Sequence, residues 1–385
     1  MSALFLIEAI GGIQVISKII NAEIVEEGIQ GSEILIRDGY IVSELESDEI
    51  VDNIIDAQGH YVSSGFIDSH VHVFEHMALN GINADDIGIR MGVTDVIDAG
   101  STGSSDFYEF NKVIETSQTN VHALINIAKK GLVANLHELR DMNDLSDREE
   151  IEETIAQYPN KIIGIKVRLS ASVVGDNGVA PLVEAIKIAS SLELPIMVHI
   201  GNPPPYLPDV FPLLRSGDIV THAFHGKKDN TILTKEGDLI AEAKSAIDRG
   251  VLFDVGHGSA SFGFEVFGRF IQKYGQYDFS TSTDLHVRNV DGPVYSLMIT
   301  LSKLYSYNIP LNSLLKTVTS IPSKVFNMKN KGSLLPGNKA DITIFSIDKH
   351  SITLQDSLGV ERELFYLFNA QKTIINGEVV WENNG

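Results

Sequence analysis

The segment GFIDSHVHVFEH, residues 65–76, sets His70 and His72 one residue apart where an apolar run ends, with His76 close behind. Neutral imidazole is a common ligand for divalent ions. Side chains alternate between faces along an extended chain, so a spacing of two turns both rings the same way. Two ligands on one rigid strand limit the entropy lost in ordering the site. The chain contains no cysteine, which excludes thiolate ligands and disulfides and leaves histidine and carboxylate as the main metal donors.

Other polar residues recur at comparable places. Lys166 interrupts the apolar run KIIGIKVR, and Arg168 follows two residues later on the same face. His199 closes LPIMVHI, His222 lies in DIVTHAF, His257 in VLFDVGHG and Asp284 in DFSTSTDLH. Each has an ordinary reading when taken alone. A strand-end histidine is more often a hydrogen-bonded core residue than a ligand, and Asp284 could cap the next helix. Lysine within an apolar run is odder, because it is rarely buried without a partner. One metal cluster explains them together.

The elements that must position these residues follow a single rhythm. Eight apolar, β-branched runs end in polar residues between about 65 and 320, with helical patterns between several of them. Their spacing is close to the ~30 residues of a strand–crossover–strand unit. Helical patterns occupy 144–159, 180–193, 235–250 and 261–275. Eight buried strands alternating with helices predict a (β/α)8 TIM-type barrel, in which the active site forms at the carboxyl ends of the strands. A doubly wound sheet would want a glycine-rich phosphate turn after the first strand, where His70 and His72 stand instead.

The flanks read as β structure. Asp38-Gly39 and Asn376-Gly377 each sit between short apolar runs, a strong hairpin signal, and ADITIFSI at 340–347 is a strand. Residues 1–60 and 330–385 are expected to form one small composite β-sandwich domain, leaving 61–329 to the barrel. The start MSALFLIEAIGG lacks a basic segment and reads as a strand or short helix, not a signal peptide. With no apolar run near the ~20 residues of a membrane span, a cytoplasmic location is expected. Lys plus Arg is 30 against 51 for Asp plus Glu, a net charge of −21 that argues against nucleic-acid and membrane partners. A small anionic substrate stays open, because one local cation can outweigh a distant field.

The ordered set of His70 and His72, Lys166, His199, His222 and Asp284 resembles the amidohydrolase superfamily of metal-dependent hydrolases. LLPGNKADITIFSID (334–348) looks like the segment that re-enters the flanking β domain in that superfamily. GIKVRLSASVVGDNG (164–178), MVHIGNPPP (197–205), DIVTHAFHGK (218–227), FDVGHGSASF (253–262) and STDLHVRNVDGP (282–293) look more narrowly like its dihydroorotase-like or amidohydrolase/deacetylase subgroup. The resemblance implies two divalent ions, with zinc the expected metal. His70, His72 and Asp284 would hold one and His199 and His222 the other. Lys166 would be N-carboxylated by CO2 and bridge both. It further implies amide or ester hydrolysis, of an acetyl group above all, on a small α-amino or α-hydroxy carboxylate. Metal-bound hydroxide would attack and Asp284 would serve as general base.

For substrate contact, Arg168 is the candidate carboxylate ligand, with a rim salt bridge as its ordinary alternative. His257 lies in a Gly- and Ser-rich turn, Asn202 in a proline-stiffened loop, and Asn289 just past Asp284. His76 and His286 read as outer or surface residues, while His60, His122, His137, His225 and His350 have no chemical reading. A homo-oligomer acting on a small-molecule carboxylate is expected. The competing readings are a cyclic amidase of dihydroorotase or hydantoinase type, a deaminase, and a non-catalytic relative. Superfamily deaminases mostly use one metal and lack the bridging lysine, and non-catalytic relatives tend to lose ligands.

Overall fold

Each of the eight apolar runs holds a parallel strand: Phe66–Val71, Val93–Ala99, Asn120–Asn126, Ile162–Leu169, Ile196–Ile200, Ile219–Thr221, Leu252–Asp254 and Phe279–Ser280. They hydrogen-bond in sequence order into one eight-stranded sheet, the barrel wall. The first strand is buried at every position, as expected of a parallel strand covered on both faces. The structure is a computed structural model describing residues 14–133 and 136–384. The reading of residues 1–12 therefore lies outside the described residues.

Local signals account for the helices. Asp147 accepts from the Glu150 backbone and Glu150 returns the bond, a capping box that starts helix Arg148–Gln157. Helices Ala180–Ser191 and Phe264–Tyr274 fall within their predicted spans. The pattern at 235–250 yields a shorter helix, Ala241–Asp248, because Leu233 and Leu239 first pair across a tight bridge. The aromatic residues of the 261–275 segment are packing: Phe267 meets Phe224 and Phe279 edge to face, at 5.1 and 5.6 Å between ring centroids. Each such buried ring contributes roughly 1.5–3 kcal/mol.

Two further sheets flank the barrel. Ile16–Ile20, Ile34–Arg37, Tyr40–Val42 and Asn53–Asp56 make a four-stranded sheet. A five-stranded sheet combines Glu23–Ile24 and Tyr61–Ser64 with Ile342–Gln355, Glu361–Ile375 and Glu378–Glu382. Ile19, Ile36, Val62, Ile342 and Ile374 share one core, so strands from both ends of the chain bury a common face. The turns at Asp38-Gly39 and Asn376-Gly377 have positive φ at both positions, as hairpin turns of this type require. The strand read at 340–347 runs on to Gln355 and pairs with Glu361–Ile375 in a long hairpin. No helix among the described residues is long and apolar enough to cross a membrane.

Candidate active site

The barrel's seam assembles the site. The last strand, Phe279–Ser280, is short; the chain beyond it meets the first strand low down, where the Ile67 N–H donates to Val318 O at 2.7 Å, and again at the mouth. There the Asp284 N–H donates to His70 O at 2.6 Å and the His72 N–H to Leu285 O at 3.0 Å. Beneath them Asp68 accepts from the Thr283 backbone and hydroxyl at 3.0 and 2.5 Å. This stitch carries the Asp284 carboxylate to the two histidines of the first strand. Asp284 and His222 both hold left-handed backbone, at φ 52° and 65°. Such conformations cost about 1 kcal/mol or more and persist where surrounding structure enforces them.

The six residues singled out in sequence converge. Asp284 Oδ1 lies 3.3 Å from His70 Nε2 and 3.2 Å from His72 Nε2, and Oδ2 lies 3.9 Å from His222 Nε2. Lys166 Nζ is 3.0 Å from His70 Nε2. His199 and His222 meet edge to face with centroids 4.3 Å apart. Ligand atoms of His70, His222 and Asp284 lie within 4.8 Å of one another.

Groups behind the rings choose their tautomers. Thr221 donates its hydroxyl proton to Asp254 at 2.7 Å, so it must accept from His70 Nδ1 at 2.8 Å. Asp254 also takes the hydroxyls of Ser280 and Ser282. His222 Nδ1 faces the Gly256 carbonyl at 2.6 Å and must carry the proton. His72 Nδ1 meets the Ser101 hydroxyl at 2.9 Å, on a residue whose N–H is held by Asp98. His70 and His222 thus present unprotonated Nε2 atoms inward, the orientation metal ligation needs. Only glycine fits at 256: φ is +46°, and a Cβ there would stand 2.2 Å from Thr221 Oγ1.

Electrostatics favours the ligand forms. Burial, reinforced by neighbouring cations, holds His70 and His199 well below the ordinary imidazole range, and burial takes His222 to about 4. Burial opposes the charge on Asp284, but the converging His70, His72 and His222 keep it ionised well below the usual carboxylate range. Lys166 is fully buried, and burial brings its amine down to about 7 despite the opposing pull of Asp284. Gly100 lets it pass: with φ +82°, a Cβ there would come within 2.8 Å of the lysine stem.

This donor set fits divalent metal. His222 Nε2 is buried and has no hydrogen-bond partner. A lone pair sealed from water without a donor costs about 1–3 kcal/mol unless a ligand takes it up. Neutral imidazoles, one ionised carboxylate and a neutralisable lysine are the chemistry such ions require.

The residues read as substrate contacts part company. Arg168 Nε pairs with Glu138 Oε1 at 2.8 Å and Nη2 donates to Leu136 O at 3.0 Å. Its guanidinium is therefore engaged at the rim. His257 is fully buried and stacks on Phe262; its Nε2 meets Lys303 Nζ at 2.9 Å and its Nδ1 the Gly258 carbonyl at 3.1 Å. The Asn289 side chain donates to Asp284 O at 2.9 Å and accepts from the His286 N–H at 3.0 Å, bracing the loop that carries Asp284. Asn202 is exposed. His76 points outward, and His286 packs beside His72.

Thr221, Asp254, Ser101 and Asp98 were not read as functional. Carboxylates inside apolar strands, in VTDVIDAG and VLFDVGHG, were the available signal. Glu138 and Lys303 had none, because their partners lie far away in sequence.

Comparison with known proteins agrees with this geometry. The profile described as amidohydrolase family matches residues 61–380. A deacetylase of Enterococcus faecalis is 42% identical over 324 residues, spanning 83% of this chain and 87% of that protein. A deacetylase of Agrobacterium fabrum is 37% identical over 329 residues, spanning 85% and 80%. A crystal structure described as an adenine deaminase has a TM-score of 0.89 at 38% identity, covering 95% of this chain and 99% of that one. Another, described as a dihydroorotase, has a TM-score of 0.85 at 35% identity, covering 95% and 98%.

Proposed function

We propose that this chain, a hydrolase that belongs to the amidohydrolase family, releases an acetyl group from the amide or ester of a small α-amino or α-hydroxy carboxylate. The reading places two divalent ions, zinc expected, on His70, His72, His199, His222 and Asp284, with Lys166 N-carboxylated between them. It takes the barrel from about residue 65 to 329, and the flanking strands, with Tyr61–Ser64 paired to Ile342–Gln355, as the composite β domain. The observation that carries it is the convergence of Lys166, Asp284 and inward-aimed neutral imidazoles, with the buried Nε2 of His222 unpartnered. The deacetylases at 37–42% identity support the choice of acyl group.

When bound, the ions supply Lewis acidity and make water a nucleophile at neutral pH. The residues of the chain do the rest. Asp284, ionised and facing His70 and His72, takes the proton of the attacking water and returns it to the leaving amine or alkoxide. The seam bonds to His70 O and Leu285 O hold it at that position, and Asn289 braces the loop behind it. Thr221 and Asp254 fix His70, while Gly256 fixes His222. His257, locked by Lys303, forms part of the wall. Asn202 and the Arg168–Glu138 pair border the entrance.

A cyclic amidase is the second reading, favoured by the likeness to the dihydroorotase structure. Metal analysis combined with a product assay separates them. The expected result is about two ions per chain and acetate released from N-acetyl or O-acetyl 2-substituted carboxylates. Faster ring opening of dihydroorotate, or ammonia released from adenine, would replace the deacetylase reading.

A further inference from the structure

Lys227 stands on the loop that leaves the His222 strand, and it is half-buried. Its ammonium has no ion pair or hydrogen bond among the described residues. It stands at the carboxyl end of the barrel, where the His225 N–H donates to His222 O at 3.2 Å and folds the loop back over the strand end that carries His222. The loop is held in place. The Lys227 N–H donates to His225 Nδ1 at 3.1 Å, which puts the ring proton of a neutral His225 on Nε2. That Nε2 is buried and has no acceptor. On the other side Gly226 packs against Leu358, at the turn of the long hairpin; an added Cβ would lie 2.4 Å from Leu358 Cδ1.

Two donors without acceptors on one pinned loop beside the mouth call for an incoming acceptor. Two nearby cations are already used, and Arg288, on the loop after Asp284, is exposed to water. Arg168 is paired with Glu138, and Lys303 is taken up by His257, Pro293 O and Gln355 O. A chain of net charge −21 also needs a local cation to hold an anion. We infer that the Lys227 ammonium binds the substrate's carboxylate and that His225 positions it by fixing the loop backbone. This rests on the carboxylate substrate proposed above.

The test compares 2-acetoxypropanoate with its neutral partner 2-acetoxypropanamide on metal-loaded enzyme, and the binding of lactate with that of lactamide by calorimetry. Wild type should prefer the anion of each pair. Lys227→Met should cut that preference by roughly 10–100-fold through KM and through lactate affinity, the span expected for a charged hydrogen bond. kcat on the amide and metal content should hold, and Lys227→Arg should restore most of the preference. An anion preference undiminished in Lys227→Met overturns the anchor while leaving the carboxylate reading intact. A wild type indifferent to charge in both pairs overturns the carboxylate reading and the anchor with it.

Discussion

Two clusters of buried ionisable groups lie at opposite ends of the barrel strands. They use the same residue types to opposite effect. At the amino end, Lys331 Nζ sits 2.7 Å from Asp95 and 2.5 Å from Asp341, and His122 adds a contact to Asp95 at 3.0 Å. Burial opposes the charge on Asp95, but Lys331 and His122 hold it well below the carboxylate range, and the two acids raise Lys331. At the carboxyl end Asp284 faces Lys166, His70, His72 and His222, and His199 meets the last of these edge to face. There burial wins and the lysine drops to about 7. The floor is neutralised by the fold itself. The mouth keeps its imidazoles neutral and holds an unpartnered lone pair, which a bound cation can take up. Stability and function have been assigned to different ends.

The contrast breaks most directly through the two charged centres. Asp284→Asn keeps size and seam but removes the proton acceptor. It should lower kcat by roughly 10²–10⁴-fold, the range for a general base, while much of the metal stays bound; near-normal turnover would remove Asp284 from that role. Lys331→Met should do the reverse. It strands Asp95 and Asp341 and should cost about 3–5 kcal/mol in denaturant unfolding, with kcat unchanged below the new transition. A loss of activity without a loss of stability would falsify the division of labour.

Much of this was legible in the sequence because strand-end chemistry is local. Eight apolar runs predicted eight strands, and the residues closing them gave Lys166, Asp284 and the histidines. The hairpin turns were legible because Asp-Gly and Asn-Gly supply positive φ. The 348–372 stretch was not read as strand. Outside its ends the hairpin is largely exposed, so it lacks an alternating apolar signal. Arg168 lies near the end of its strand, but its pairing with Glu138 joins that strand to the loop after the preceding one, and no periodicity encodes such a contact. His225 and Lys227 were passed over for a similar reason. A polar residue in a loop declares nothing until the fold shows which of its atoms lack partners.

A smaller change tests whether the groups behind the ligands matter as much as the ligands. Thr221→Val removes the hydroxyl linking Asp254 to His70 while keeping the shape. His70 then has no acceptor for Nδ1–H, and metal affinity should fall about 10–100-fold, measured by competition with a chelator. The matching change at the floor, Thr94→Val beside Asp95, should leave metal affinity untouched.

The smallest expected effect is a slope in pH. Lys166 titrates near 7 in the folded, metal-free protein but near ~10.4 when unfolded. Between those values the unfolded chain binds more protons, so this lysine makes stability rise with pH. Lys331 is raised instead. Its contribution is complete below the unfolded value and disappears only as pH climbs through the higher folded one, so it stays flat from pH 7 to 9. In chelated, CO2-free protein, wild type should therefore gain on Lys166→Met by up to about 1.4 kcal/mol per pH unit across that window. Lys331→Met should run parallel to wild type, offset but not tilted. Equal slopes for wild type and Lys166→Met would mean that a negative charge already pairs with Lys166, and the two ends of the barrel would not differ in kind.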